Sequence, residues 1–189
     1  GSGIIKEENK KPITPITDKA IERVPKVDID GYSEEQRVEI QKQHKELLRF
    51  SKEHNQNKEV AFVFREDLTD KTPLLGVDDH LDFGTSLSGK GNNLMILHNH
   101  PRNSSFSDVD ISLFKNLKSL KTLTIVKNNG DVEFITKGDN FNDEVFKLEY
   151  NRLKKKMVKN NTDAEYDKFI SKLLNKTKSG VIWSEKNIP

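Results

Sequence analysis

Cysteine is absent from the 189-residue chain, which excludes disulfides, thiolate zinc sites and a cysteine nucleophile and fits a reducing compartment. Any metal must therefore be held by His, Asp or Glu. A surplus of charge is lacking too. Lys and Arg total 32 against 30 Asp and Glu, so a formal charge of +2 offers no electrostatic argument for nucleic acid or an anionic membrane as partner. No apolar run is long enough to cross a bilayer and no charged-then-apolar leader opens the sequence, so the chain reads as soluble, with no membrane partner. A hydrophobic content of 33% is low, which suits one domain with a substantial core plus solvated extensions. Gly1-Ser2-Gly3, with no initiating Met, reads as a cloning remnant on a fragment of something longer.

The pattern of the chain predicts three parts: tag and flexible linker over 1–31, a metal-binding domain over 32–138, and a C-terminal helical extension over 139–189. The Pro12 and Pro15 neighbourhood cannot hold a helix. Ser33 and Gln36 form a capping-box signature before a helix over about 34–53, where Val38, Ile40, Leu47 and Leu48 gather on one face. His44 and His54 have no ligand-type neighbour at suitable spacing and read as solvated helix histidines. Glu59 opens an almost wholly apolar run to Phe64, as expected of a strand buried on both faces. A short strand near Leu74 to Val77 follows, then a flexible Ser86–Gly91 segment able to line a cleft.

Leu94–Leu97 is a second buried strand, ending in His98-Asn99-His100-Pro101. Ile111, Leu113, Phe114, Leu117 and Leu120 supply an amphipathic helix starting near Ser107. Asn128-Asn129-Gly130-Asp131 between two β-rich runs is a hairpin signal. Two helical patterns follow Gly138, the second capped by Thr162 and Glu165; Lys154-Lys155-Lys156 reads as a solvated face, and Trp183 as a packed residue of an unassigned tail. The fold class is α/β, mixed α+β. A small central sheet holds the Glu59 and Leu94 strands and the Asn128 hairpin, and packs against helices 34–53 and 108–119; the C-terminal helices lie on its side or form a separate lobe.

Residues two apart on a strand face one side, so His98 and His100 can address one ion while Asn99 points away. Asp110, in the first turn of a helix just beyond a tight turn, can bring its carboxylate to the same point. That makes a His-His-Asp set with a fourth position open to water, which suits Zn²⁺ and marks a catalytic rather than a structural site. Glu59 is the acidic residue best placed to act as base, with Glu53 and Glu66 its nearby competitors in sequence. Ser107, one helical turn before Asp110, can reach the water or stabilise an oxyanion.

His98-Asn99-His100-Pro101 followed by Ser107-Asp108-Val109-Asp110, with a glutamate opening an earlier strand, resembles the JAMM motif of MPN-type metalloproteases in its bacterial His-Asn-His-Pro form. The resemblance spans roughly residues 55–137. It implies an MPN-like sheet flanked by helices and a zinc hydrolase that cuts peptide or isopeptide bonds, often in ubiquitin-like conjugates. It also implies His98, His100 and Asp110 as zinc ligands, Glu59 as general base and Ser107 as the residue that stabilises the intermediate. In one departure, six residues separate His100 from Ser107, one fewer than in the usual family pattern. A second resemblance, carried by Asp18–Glu22, His44–Leu48, Glu59–Val63 and His98–Ser107, is to the C-terminal extension of phage or prophage minor head proteins of the head-morphogenesis type. This implies a delivered effector, toxin or processing domain, located in the bacterial cytoplasm or the phage particle, with the rest of a head protein and a protein or peptide substrate, conjugated or not, as partners.

Three other readings stay open. Ser107 with Asp110 is also a capping box that needs no catalytic role. A metal-dependent nuclease toxin would use Arg102, Lys115 and Lys118 as phosphate contacts. A non-catalytic head appendage would keep the metal as a structural staple.

Overall fold

Strand β3 (Leu94–His100) is buried at every position, and the rest of the chain is built around it. The structure is a computed structural model and describes residues 11–76 and 81–187. Beside β3 stand β1 (Val60–Phe64), β2 (Thr72–Leu75), β4 (Leu120–Lys127), β5 (Val132–Lys137) and β6 (Val181–Trp183), in the order β2-β1-β3-β4-β5-β6. β3 and β4 run parallel and the other neighbouring pairs are antiparallel. The architecture is mixed α/β, as the sequence pattern indicates: a six-stranded sheet with helices on both faces.

Each face is set by strand alternation. Val60, Phe62, Phe64, Met95 and Leu97 pack with helix α2 (Glu34–His54) and with Ile21 of helix α1 (Asp18–Arg23). Ala61, Val63, Leu94, Ile96 and Ile125 point the other way, onto α3 (Asp108–Asn116), α4 (Asp143–Met157) and α5 (Asp163–Lys176). Phe146, Tyr150, Tyr166 and Phe169 of the last two helices share one apolar cluster with α3 and the sheet, so these helices form a layer on the sheet and not a separate lobe. The tail left unassigned on sequence supplies β6, pairing Trp183 with Ile135.

Several expectations are corrected. In the segment read as linker, of which residues 1–10 lie outside the described residues, α1 is capped by Thr17, and Ile16, Ile21, Val24 and Ile29 are buried. Proline forbids a long helix there, but in an extended strap it also lowers the chain entropy lost on docking. Gly130 at the β4–β5 turn has φ +98, and a Cβ there would lie 2.5 Å from the Ala20 carbonyl, so the close approach of the strap requires glycine. The early strand runs over Thr72–Leu75; Val77, part of the expected span, lies outside the described residues. Val38, placed on an apolar helix face by periodicity, is exposed.

His44 is the largest reversal. It shares the buried face of α2 with Ile40, Leu47 and Leu48 and is fully buried, its Nε2 2.6 Å from Thr124 Oγ1. Burial first, and the neighbouring His98 second, push its pKa from 6.5 down to about 3. As pH falls from 6.5 toward 3, the unfolded chain takes up a proton that the folded chain refuses, so stability is lost over that window. The share of this one residue approaches about 1.4 kcal/mol per pH unit. Urea unfolding between pH 7 and pH 5 is expected to show a shallower pH dependence in His44→Gln than in wild type; equal slopes refute the assignment.

Candidate metal centre

The connection from β3 to the parallel β4 runs through α3, which brings the N-terminus of α3 to the carboxyl end of β3, where open α/β sheets place their ligands. The turn after His100 is held from several sides. Asn103 adopts φ +62, its Nδ2 donates to Thr14 Oγ1 at 2.9 Å, and Thr14 N donates to Pro101 O at 2.9 Å. Phe106, buried, pins the return of the chain to α3.

His98 and His100 extend the face of β3 that carries Leu94 and Ile96 toward α3, and both are buried. His98 Nδ1 lies 2.8 Å from Thr124 O, and His100 Nδ1 lies 2.8 Å from Ser104 O and 3.1 Å from Ser104 Oγ. A carbonyl can only accept, so each Nδ1 carries the hydrogen and each Nε2 is turned toward the other ring and Asp110. Those two Nε2 atoms are 3.1 Å apart. Asp110 closes the triangle, with Oδ1 3.0 Å from His98 Nε2 and Oδ2 3.1 Å from His100 Nε2.

Three polar atoms converging at such distances can share one cation between them. Tetrahedral zinc with ligands at about 2.0–2.1 Å spaces its donors about 3.3 Å apart, close to the observed triangle, and nitrogen and carboxylate are donors that zinc accepts. The residues present therefore fit a zinc ion. The electrostatics couple the same three side chains. Burial alone raises the Asp110 pKa, but His98 and His100 outweigh it and hold the carboxyl well below its usual range. Burial lowers that of His100, yet Asp110, with Glu59 behind it, leaves it raised.

Ser107 and Asp110 form a reciprocal capping box: Asp110 N donates to Ser107 Oγ at 3.2 Å, and Ser107 N to Asp110 Oδ2 at 2.9 Å. Capping and metal ligation are thus not rival uses of Asp110, because the cap aims its carboxylate at the two rings. The capping contact is what the structure gives for the Ser107 hydroxyl, which takes the Asp110 amide and keeps its own hydrogen to donate.

Glu59 lies one residue before β1. Ala61 pairs with His98, so two residues back along the antiparallel ladder Glu59 comes opposite His100 on the same face. A half-buried side chain, it brings a carboxylate oxygen into a group with one nitrogen from each histidine, all within 4.8 Å of one another. Two triads thus meet at the histidine pair, one closed by Asp110 and one by Glu59. Of the sequence competitors of Glu59, Glu66 accepts from Asn93 Nδ2 and Glu53 is an exposed neighbour of His54.

Asn99, read only as pointing away, is fully buried on the opposite face. Its Oδ1 accepts from Val60 N at 2.8 Å and its Nδ2 donates to Asn128 Oδ1 at 2.8 Å, while Asn128 N donates to His100 O at 3.2 Å. Asn99 thereby fixes the entry to β1, and with it the backbone beside Glu59. The available signal was the alternation itself: the middle residue of His-x-His on a doubly covered strand must be buried, and a buried amide must be paired.

The three cations proposed as phosphate contacts are not gathered at this centre. Arg102 Nε donates to Lys11 O, Lys115 stacks over the Tyr150 ring, and Lys118 lines a pocket of about 520 Å³ with Asn93, Leu120 and Lys137 at the other end of β3. No described helix is long and apolar enough to cross a membrane. The chain matches no protein-family model, no curated protein and no solved structure at a significant level.

Proposed function

We propose that this chain is a zinc-dependent hydrolase that cleaves peptide or isopeptide bonds. The observation that carries the reading is the pair of Nε2 atoms 3.1 Å apart, closed by the Asp110 carboxylate, a donor set that one cation can share. His98, His100 and Asp110 would hold the ion. Zinc in such a three-ligand site supplies Lewis acidity that makes water a nucleophile near neutral pH. With an ion bound, Glu59 would take the proton of the attacking water and pass it to the leaving amine. Ser107, whose hydroxyl hydrogen is not used by the cap, donates to the developing oxyanion.

The choice of an amide bond over a phosphodiester rests on the JAMM-like sequence pattern. The substrate is then a protein or peptide, conjugated or free, and the likeness to phage head-protein extensions assigns the domain an effector or processing role in a bacterial cytoplasm or a phage particle.

The test is elemental analysis of the purified protein together with incubation on peptide, isopeptide-linked and nucleic-acid substrates. About one zinc per chain and peptide-bond cleavage that chelation abolishes and added zinc restores is the expected result. Nucleic-acid cleavage would point to a nuclease, and unfolding on chelation without turnover to a structural staple.

A further inference from the structure

Glu133 is a carboxylate that this chemistry does not use, yet it is almost fully buried, on the sheet face that carries the metal centre. On β5 it pairs with Ile125, and Lys127 at the end of β4 stands opposite His100. Three donors from three parts of the chain meet it. Lys127 Nζ is 2.8 Å from Oε2, Trp183 of β6 donates its indole N–H to Oε1 at 3.2 Å, and Ser105 donates its hydroxyl to Oε2 at 2.5 Å. The first two come from the sheet and would satisfy an ordinary buried ion pair. The third reaches in from the loop between β3 and α3.

That loop holds the outer ring nitrogen of His100. Ser104 O belongs to the peptide group joining Ser104 to Ser105, so fixing the Ser105 side chain fixes the plane whose oxygen accepts from His100 Nδ1. Ser104 and Ser105 are themselves exposed, so no apolar burial secures this peptide, and water competes for each of its polar groups. An anchor inside the protein is what keeps the carbonyl aimed at the ring, and with it the tautomer and direction of the Nε2 lone pair.

We infer that Glu133, through the Ser105 hydroxyl, is a positioning residue that holds the Ser104–Ser105 peptide on His100 and so tunes metal affinity. Trp183 extends the link to the C-terminal strand, which gives the segment after α5 a part in the metal centre. The inference rests on the zinc reading above.

The test is zinc affinity of the full chain, measured by chelator competition, alongside the melting temperature of the metal-free protein. Outer partners of ligating histidines are worth about 10- to 100-fold in affinity. Glu133→Gln is expected to weaken zinc binding within that range and Ser105→Ala by about tenfold. Ser105 is exposed, so its substitution should leave the metal-free melting temperature unchanged within about 2 °C, an effect below 1 kcal/mol. Ser105→Thr, which keeps the hydroxyl, should bind as wild type does. A merely structural Glu133 would lower the melting temperature without moving the affinity of the folded protein. If Glu133→Gln fails to fold, the Ser105 pair decides alone. Wild-type binding with unchanged affinity in Ser105→Ala overturns this inference and leaves the zinc reading standing. Absence of zinc binding by the wild type overturns both.

Discussion

Replacing His98 with alanine is expected to weaken zinc binding by on the order of 100-fold or more. Structural zinc in zinc-finger peptides binds with apparent free energies of about 10–16 kcal/mol, so on that scale a quarter share per ligand is about 3 kcal/mol, and each 1.4 kcal/mol is tenfold. The loss should exceed a simple share, because Asp110 Oδ1 makes its 3.0 Å contact to the ring removed and is left buried with one histidine. Thermal unfolding gives the cleanest readout. Zinc at a thousandfold excess over Kd stabilises a folded protein by about 4 kcal/mol, roughly 10 °C for a domain of this size. The wild type should show that rise and His98→Ala should not. Equal zinc-induced shifts in the two proteins would remove His98 from the ligand set and with it the proposed function.

The convergence of His98, His100 and Asp110 was legible because strand alternation and helix capping are local rules. His98 and His100 could be put on one face from spacing alone, and Ser107 with Asp110 could be seen to start a helix without knowing what packs on it. Glu59 was placed by the same alternation once β1 was known to neighbour β3, which the buried character of both runs suggested. What stayed hidden depends on the second side of the sheet. His44 sits at a helical spacing from Ile40 and Leu48 that marks it as buried, but histidine is polar enough to be assigned to solvent unless its partner, Thr124 on β4, is known.

Proline misled in the opposite direction. It correctly excluded a long helix before residue 18, yet it carries no information on whether the extended chain it enforces is docked. Ile16 and Val24 are the residues that dock it, and their burial is set by α2 and the β4–β5 turn, far along the chain. Glu133 was equally invisible, since in an alternating strand a single glutamate reads as the solvated face. Only β6 and the loop after β3 turn its surroundings into an interior.

Glu59→Gln is expected to reduce turnover by about 10²- to 10⁴-fold, the usual worth of a positioned general base, while zinc stays bound with near wild-type affinity. The two triads at the histidine pair make this substitution the sharpest discriminator of mechanism. If Asp110 is the third ligand, glutamine keeps the size and hydrogen-bonding reach of Glu59, loses only the capacity to take a proton, and the metal does not leave. If Glu59 is itself the third ligand, an anionic donor is exchanged for a neutral amide and affinity falls with activity. The geometry favours the first arrangement: Asp110 is within 3.1 Å of both Nε2 atoms and has its carboxylate aimed by the Ser107 cap, whereas Glu59 joins the two histidines in a group whose ligand atoms lie within 4.8 Å of one another. Measuring kcat and zinc affinity on the same Glu59→Gln preparation separates the two. Loss of turnover with zinc retained supports Glu59 as base, joint loss makes it a ligand, and full turnover in the variant would return the role of base to another group.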